Sequence, residues 1–563
     1  MDEAALRPAG RRRLVTVLPY LMKTPAAILL VLAVASSGCS RPGTYQGTRH
    51  SWTQPGVLRI SIGEEPKNLN PLLAGTTYEV FIDRLLFEPL VSANPRGDPV
   101  AMLAKVVPTQ ANGGISPDGL TIVYHLRRNA SWSDGVPVTS RDVIWSWQAI
   151  ENTNNNVVSR HGYDDVAAID APDPHTVAVH LKRRFSPFVN TFFAESDQPY
   201  DVVPAHVLSR YPNINDVPFD AMPTVSDGPF RLERWQRGDR IVLGANPTFF
   251  QGTPGLSRIE IEFVPNEESA INLLRTHAID YIFQPSIQMY PTLRTLPDAQ
   301  IIWVNMNAYE GVELNLSHPF LADPRVRTAI AAAIDKNALT RQLTFGQVTT
   351  ATEDIPDWLW AFDPAVKSVP FNSDAAKVML EDAGWIAGPD GTVRKNGRPM
   401  ELLLATNSTS ATERSLSLLI QAALRRIGIA VSIKYYLPDM LYAPKAMGGI
   451  QHGGKFDLLA YGWYAGIDPD NSSQLTCNNF PPHGYNDPRY CSRAMDAAQE
   501  QALTHYDRAT RKLAYSKIER LLAIDNPMVF FWWQRQQEAI SVDFHGFAPN
   551  PVIESWNAWQ WSI

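Results

Sequence analysis

Strands and capped helices alternate along most of this chain, and this alternation limits the folds that it can adopt. Segments 58–63 (LRISIG), 120–127 (LTIVYHLR), 175–181 (HTVAVHL) and 258–263 (RIEIEF) alternate apolar with polar residues, which is typical of half-buried strands. A strand of this kind must bury its apolar face against a second layer. The helices that could form this layer lie between the strands.

These helices begin and end at recognisable residues. The segment 139–142 (TSRD) has the spacing of a capping box, and Asp323 with Pro324 suits the N-cap and the first position of another helix. The segment 373–384 begins with Ser and ends with Gly, a residue favoured just beyond a helix. A helix that runs into a strand is predicted for 421–429. The sequence therefore predicts the α/β class.

Composition describes a globular chain without a nucleic-acid partner. The 563 residues are 45% hydrophobic and 19% charged, which is typical of two or three domains. The formal net charge of −7 provides no basic surface for a polyanion. No run of about 18 apolar residues follows Cys39, so we expect no membrane span after it.

A short apolar run near the N-terminus, residues 22–40 (MKTPAAILLVLAVASSGCS), predicts export. Its core, 25–35, is shorter than the roughly 20 residues that a spanning helix needs. A basic start, a short apolar core and small residues instead favour a cleaved secretory signal. The start codon stays open between Met1 and Met22, and so does whether the source has an outer membrane.

The cysteine that ends this run suggests a lipid anchor. Gly38 and Cys39 resemble a lipobox, at which bacteria acylate the cysteine, although Ser36 stands where Leu is usual. We therefore expect a signal peptide over 1–39, lipidation of Cys39 and a linker over 40–55. A simple cleaved signal is the alternative, and either reading predicts a periplasmic or cell-surface protein.

Two cysteines remain if Cys39 carries lipid. In an oxidising compartment we expect Cys477 and Cys491 to form a disulfide, and two separate thiols are the alternative. Closing a loop of about 15 residues would stabilise the fold by roughly 3 kcal/mol.

Several motifs resemble chemical sites but lack a necessary residue. Segment 448–456 (GGIQHGGKF) has Phe456 where a phosphate loop needs Ser or Thr, and 468–479 has Asn479 where a calcium loop needs Glu. CxxC and HExxH are absent from the sequence. We predict no cofactor, no metal and no catalytic site, so we expect a protein that is not an enzyme.

Several stretches, taken in order, resemble the family 5 solute-binding proteins of ABC transporters. The most distinctive is 116–147, in which a strand ending in Leu-Arg is followed by an aromatic residue, Asp-Gly and Pro-Val-Thr-x-x-Asp-Val. The resemblance covers roughly 57–560. Further matching stretches are 64–73, 83–104, 227–235, 245–250, 314–335, 383–385, 456–463 and 524–533.

The resemblance implies a two-lobed periplasmic-binding-protein fold of the peptide-binding type (class II), with an extra domain. Two α/β lobes would close over a ligand held at their interface. The implied division is 56–88, 223–311 and 525–563 in the first lobe, 89–222 in the extra domain, and 312–524 in the second lobe.

The resemblance also implies where a ligand would bind. In peptide-binding relatives an Asp three residues after Gly-Trp pairs with the α-amino group of the ligand, but this chain has Gly466 at that position. Either Asp468 takes this role in a rearranged loop, or the ligand has no free amine there. The residues expected near the ligand are Trp463, Tyr464, Asp468, Asp470, Tyr78, Glu313 and Asn315.

The function implied is that of a monomeric receptor that captures a peptide and delivers it to an ABC permease and its ATPase. One alternative keeps the fold but changes the ligand to an oligosaccharide, an opine or a nickel chelate. Another is an extracytoplasmic sensor or chaperone that does not take part in transport.

Overall fold

The computed structural model describes residues 49–563. The predicted signal peptide (1–39), the predicted lipidation of Cys39 and most of the predicted linker (40–55) lie outside the described residues. In the described part of the chain, no helix is both long and apolar enough to cross a membrane.

Eighteen strands are spread along the described chain. In order they are β1 (Val57–Ile62), β2 (Val91–Ala93), β3 (Pro99–Ala101), β4 (Thr121–His125), β5 (Val166–Asp173), β6 (Thr176–Leu181), β7 (Phe230–Gln236), β8 (Arg240–Ala245), β9 (Arg258–Phe263), β10 (Tyr281–Ile282), β11 (Ala299–Leu314), β12 (Ile386–Ala387), β13 (Val393–Lys395), β14 (Arg398–Pro399), β15 (Glu401–Asn407), β16 (Ala430–Tyr436), β17 (Leu458–Tyr464) and β18 (Met528–Ser541).

Fifteen α-helices lie among these strands in the same described range. They are α1 (Thr77–Leu86), α2 (Ser140–Glu151), α3 (Phe188–Thr191), α4 (Ala205–Leu208), α5 (Pro218–Ala221), α6 (Glu267–Arg275), α7 (Tyr290–Leu293), α8 (Pro324–Ala333), α9 (Lys336–Leu343), α10 (Ser373–Asp382), α11 (Ala411–Arg426), α12 (Pro438–Leu441), α13 (Ser472–Leu475), α14 (Arg493–Thr504) and α15 (Arg508–Asp525).

The predicted strands and helix ends are confirmed where the sequence signals were strong. The segment predicted as a strand over 258–263 is β9, with the same bounds. Asp142 accepts a hydrogen bond from the Thr139 N–H at 2.8 Å, which completes the capping box of α2. Asp323 caps α8 by accepting from the Arg325 N–H at 3.0 Å. Asn372 caps α10 one residue before the predicted start of that helix, because its side chain accepts from the Ala375 N–H.

Two long antiparallel strands lie at the centre of a ten-stranded mixed sheet with the order β16-β15-β17-β11-β18-β10-β1-β9-β8-β7. The first half of β11 pairs with the second half of β18, where β10 joins the sheet. The second half of β11 pairs with β17 and with the first half of β18. The two halves of the sheet are therefore joined only through β11 and β18 in the described chain.

The pairing of β11 with β18 is interrupted near its middle. Asn305 lies opposite Arg535 and Tyr309 lies opposite Trp533, so three residues of β11 face a single residue, Gln534. An interruption of this kind bends a strand and changes the direction of its side chains. This break places Gln534 and its neighbours at the junction of the two halves of the sheet.

The apolar core is divided in the same way as the sheet. One large cluster contains Leu58, Ile259, Trp132 and Trp561, and so combines the strands next to β1 with the segment predicted as the extra domain. A second cluster lies around Leu404, between β15, β17 and the helices α8 and α11. The boundaries predicted for the lobes and the extra domain stay predictions.

A buried group of charges fixes part of the first cluster. The Arg84 guanidinium, with a side chain 1% exposed, lies 2.8 Å from Glu195 Oε1 and 2.9 Å from Asp201 Oδ1. Asp83, beside Arg84, is also buried, and neither of its carboxyl oxygens has a hydrogen-bond partner. Burial, together with the negative charges of Asp201 and Glu79, raises the pKa of Asp83 well above its usual range.

We expect the Asp83→Asn variant to gain stability over the wild type as the pH rises. A carboxyl whose pKa is raised by folding contributes its full stability below the pKa of the unfolded chain, and loses this contribution as the pH rises through the folded-state pKa. The asparagine side chain of the variant has the same shape but does not ionise, so its contribution to stability does not change with pH. Urea unfolding at pH 5 and pH 8 should show the difference growing with pH. The exposed Glu381→Gln variant serves as control. A difference in stability between Asp83→Asn and the wild type that is the same at both pH values would contradict a buried neutral carboxyl at this position.

Candidate ligand-binding cleft

Three cavities lie around the junction of the two halves of the sheet. Cavity A, of about 460 Å³, lies between β11, β17, β18, the 284–288 loop and the start of α11. Cavity B, of about 1040 Å³, lies between the 158–185 segment and the 442–503 segment. Cavity C, of about 150 Å³, lies beside residues 75–80 and 196–199.

The three cavities adjoin one another, since each pair shares a lining residue, and together they are called the cleft. Tyr464 lines cavities A and C, Tyr442 lines A and B, and Asp197 lines B and C. The break in the β11–β18 pairing contributes Gln534 to cavity A and Met306 to cavity C. The junction between the halves of the sheet is therefore one wall of the cleft.

Cavity A contains two carboxyl groups close to each other. Glu310 is 7% exposed, and its Oε2 atom accepts from Gln534 Nε2 at 3.2 Å. Glu413, in the first turn of α11, accepts from the Asn407 N–H at 3.2 Å. Burial and then the negative charge of Glu413 raise the pKa of Glu310 well above its usual range. Burial raises the pKa of Glu413 to about 7.

Arg535 is the basic residue that lines cavity A. Its Nη1 donates to the Gln347 carbonyl at 3.2 Å, and its guanidinium carbon lies 5.5 Å from the centre of the Trp303 ring. Burial lowers the pKa of Arg535, and the acid that opposes this effect is Asp357. Arg535 is thus held by groups other than the two carboxyls of the cavity.

Cavity B has charges of both signs. Arg160, Arg183 and Lys445 line it together with Asp197 and Asp496. His161, another lining residue, lies 4.0 Å from Asp470. Burial lowers the pKa of His161, but the negative charges of Asp197 and Asp470 outweigh this effect and raise it. A ligand in this cavity would meet polar groups on several sides.

Gly466 lies against the main chain of a distant segment. A Cβ atom at this position would be 2.5 Å from the Glu195 carbonyl oxygen and 2.6 Å from Ser196 Cα. The next residue, Ile467, donates its N–H to the Glu195 carbonyl at 3.0 Å. The position therefore has no room for the Asp that the resemblance leads one to expect there, because the 195–196 backbone occupies that space.

Asp468 already has a cationic partner. Its carboxylate lies 2.6 and 2.9 Å from the guanidinium nitrogens of Arg511, and both side chains are 8% exposed. Arg511 in turn lies over the Trp360 ring, 5.3 Å from its centre. The charge of Asp468 is therefore neutralised within the protein, and its ligand-binding role stays a prediction.

The neighbours of Asp468 are placed closer to the cleft. Tyr464, 53% exposed, donates its hydroxyl to Gln534 Oε1 at 2.7 Å and lines cavities A and C. Trp463 packs at 5.2 Å from the ring of Tyr485, a residue that lines cavity B. Asp470 accepts from the Ser472 N–H at 2.9 Å, and its other oxygen is buried without a hydrogen-bond partner.

The remaining three predicted site residues are not among those that line the three cavities. Tyr78 packs edge-on against Phe283 at 5.7 Å. Glu313 is buried, and burial first, then the charge of Asp487, raises its pKa well above its usual range. Asn315 donates to the carbonyls of Gly454 and Phe456 and so holds the loop before β17. Their assignment to the ligand site stays a prediction.

The predicted cysteine pair is present as a disulfide. Cys477 and Cys491 are bonded, with their Cα atoms 4.6 Å apart. The closed loop includes residues 478–485, most of which line cavity B. The disulfide therefore tethers one wall of the cleft.

Sequence reasoning missed the polar residues of cavity A. Glu310 lies in the same strand as the predicted Glu313, as an acid among apolar residues, and this is the only signal that marks it in the sequence. Glu413, Tyr442 and Gln534 come from separate elements and have no common motif. In the described residues, no cluster of three or more His, Cys, Asp or Glu side chains is arranged to hold a metal ion.

Comparison with known proteins identifies the family. The model of the bacterial extracellular solute-binding proteins, family 5, matches residues 103–483, which is more than half of the chain. The chain belongs to this family. It is a family of solute-binding proteins, and its members bind a peptide or another solute for ABC permeases.

Relatives of this family 5 protein match along most of their length. Oligopeptide-binding protein AppA of Bacillus subtilis is 23% identical over 95% of this chain and 97% of its own. Periplasmic oligopeptide-binding protein OppA of Escherichia coli is 25% identical over 83% of this chain and 85% of its own.

Solved structures show the fold of this family 5 protein. AppA of B. subtilis in complex with a nonapeptide superposes with a TM-score of 0.74 at 21% identity, covering 90% of this chain and 99% of AppA. NikZ of Campylobacter jejuni in complex with Ni(L-His) gives a TM-score of 0.76 at 22% identity, covering 91% and 100%. The two-lobed periplasmic-binding-protein fold is thus confirmed.

We expect the Asp468→Asn variant to lower the free energy of unfolding by about 3–5 kcal/mol. The substitution leaves the buried guanidinium of Arg511 without its carboxylate, and an uncompensated buried charge is costly. Combining it with Arg511→Met should recover part of this loss. Denaturant unfolding measures both effects, with Asp470→Asn as control. Unchanged stability with weaker binding of a free-amine peptide would instead support a ligand role for Asp468.

We expect the Gly466→Ala variant to separate residues 465–467 from residues 195–196, since the added methyl group meets main-chain atoms that have no rotamer to change. Gly75→Ala is the control, because a Cβ there meets only Val158 Cγ2 at 3.6 Å. Small-angle scattering should show a larger radius of gyration for the Gly466 variant alone. An equal radius for both variants would argue against the close approach.

Proposed function

We propose that this protein is the extracytoplasmic receptor of an ABC importer, and that it captures a peptide in the cleft formed by cavities A, B and C. The receptor would then deliver the peptide to a membrane permease and its ATPase. We further propose that it acts as a monomer held at the membrane by lipid on Cys39. The role requires binding alone and no covalent chemistry.

The observation that carries this proposal is the open edge of β17. One side of β17 pairs with β11 over Leu458–Tyr464, but on the other side β15 pairs only with Leu458 and Leu459 in the described chain. Tyr461, Gly462 and Tyr464 line cavity A. An extended peptide can add to such an edge through main-chain hydrogen bonds, which are independent of its side chains.

The size of the cleft supports a ligand of several residues. Cavity B, at about 1040 Å³, is at the upper end of the range typical for small-molecule sites, roughly 300–1000 Å³. It adjoins cavity A at Tyr442, which lines both cavities. AppA, whose structure contains a nonapeptide, shares this fold.

A second candidate is a smaller solute such as a metal chelate, an opine or an oligosaccharide. Gly466 favours it, because the 195–196 backbone occupies the space that an acidic side chain at this position would need in order to pair with an α-amino group. Cavity A alone, at about 460 Å³, is large enough for a small molecule. NikZ, which is similar in fold, was solved with Ni(L-His).

Mass spectrometry of the molecules that co-purify with the protein tests the two candidates. The protein is purified gently and denatured, and the released small molecules are analysed. We expect a set of short peptides of mixed sequence, because main-chain recognition tolerates different side chains. A single sugar, opine or chelate would contradict the peptide proposal and support the second candidate.

A further inference from the structure

Cavity A has an acceptor that no group in the described protein satisfies. Glu310 is more than nine-tenths buried, and while its Oε2 accepts from Gln534, its Oε1 has no hydrogen-bond partner. The residue lines the cavity, and its unpaired oxygen is buried in the cavity wall. An unpaired acceptor at such depth costs about 1–3 kcal/mol unless a donor fills the site.

A second carboxyl faces the same cavity. Glu413 uses one oxygen to accept from the Asn407 N–H, and this contact orients its side chain at the start of α11. Glu413 lies close enough to Glu310 for its charge to affect that group. The two carboxyls come from β11 and α11, so they meet only in the folded chain.

Neither carboxyl forms an ion pair with a basic residue of the described chain. The other titratable groups that line the cavity, apart from Arg535, are the hydroxyls of Tyr442, Tyr461 and Tyr464. Burial and the charges of Glu413, Glu310 and Glu313 raise the pKa of Tyr442, and Tyr464 is hydrogen-bonded to Gln534. Arg535 lines the cavity but is held by Gln347 and Trp303. When Glu310 and Glu413 ionise, no basic group of the described chain is therefore paired with their negative charge.

We propose that Glu310 and Glu413 together bind a cationic group, an ammonium or a guanidinium, of the captured ligand. This inference rests on the proposed function, because it requires that a solute occupies the cleft. Position 466 has no acidic side chain that could pair with a cationic group of the ligand. The proposal places this role in cavity A. A cation with several N–H donors can satisfy the free oxygen of Glu310 and one oxygen of Glu413 at once.

Four tripeptides test this proposal and distinguish the two sources of such a cation. Ala-Ala-Ala and Ala-Lys-Ala have a free α-amine, and their N-acetylated forms lack it. If the pair holds the α-amine, acetylation should abolish binding of both peptides. If it holds a side-chain cation, N-acetyl-Ala-Lys-Ala should still bind and N-acetyl-Ala-Ala-Ala should not.

The variant to compare is Glu310→Gln combined with Glu413→Gln, which keeps the size and shape of both side chains but removes both charges. Calorimetry should show binding of the cationic peptides weakened about tenfold or more. Glu381→Gln with Glu401→Gln, both on the surface, gives the same change in net charge and should bind like the wild type. Thermal unfolding of each protein checks that the fold is retained.

The pH dependence of binding gives an independent readout. Because a cation favours the ionised carboxyls, affinity for the cationic peptides should rise between pH 5 and pH 7.5 in the wild type and change little in the double variant. A purely structural role for the pair would lower stability without changing this profile.

Each outcome decides one point. If the wild type binds the peptides and the double variant binds them equally, the recognition pair is wrong and the receptor proposal stands. If the wild type binds N-acetyl-Ala-Ala-Ala as tightly as Ala-Lys-Ala, cation recognition is likewise contradicted. If the wild type binds none of the four peptides at millimolar concentration, the peptide-receptor proposal fails together with this inference.

Discussion

The antiparallel pairing of β11 with β18 is the constraint on which the rest of the structure depends. These two strands join the halves of the ten-stranded sheet, and β17 and β10 attach near opposite ends of the pair. The interruption opposite Gln534 lies where the halves meet. A strand pair that is regular at both ends and irregular in the middle joins the two halves of the sheet while placing polar side chains between them. The wall of the cleft is therefore a consequence of how the sheet is built.

Buried charge fixes the other wall. Arg84 holds Glu195 from one side, and Ser92 donates to the same carboxylate oxygen at 2.6 Å. The main chain of Glu195 is thereby positioned to accept from Ile467 and to lie against Gly466. Such buried ion pairs are weak evidence for stability, because desolvation offsets much of their attraction. Their consequence here is geometric, since they determine which segment meets the loop after β17.

The cleft that results is polar but unevenly charged. Cavity B has both basic and acidic groups on each of its two sides, whereas Glu310 and Glu413 in cavity A share a region without a basic partner. Burial raises the pKa of both carboxyls, so each holds its proton to a higher pH than an exposed glutamic acid does. This property explains how a protein can hold two acids at a cleft without losing its fold. Under the proposed cation recognition, the charge of the ligand would contribute to specificity.

The sequence by itself determined the local elements, the family and the cysteine pair. Two-residue alternation fixes β9, and side-chain caps at Thr139 and Asp323 fix the starts of α2 and α8, because these signals act over a few residues. The motif at 461–468 also identified the segment that reaches the cleft, through Tyr464. Only the tertiary structure decided that Arg511 neutralises Asp468, that the 195–196 backbone fills the space beside Gly466, and that Glu310 and Glu413 line the same cavity. Each of these pairs joins residues at least 43 positions apart in the sequence. A local sequence pattern does not indicate which distant segment will pack against it.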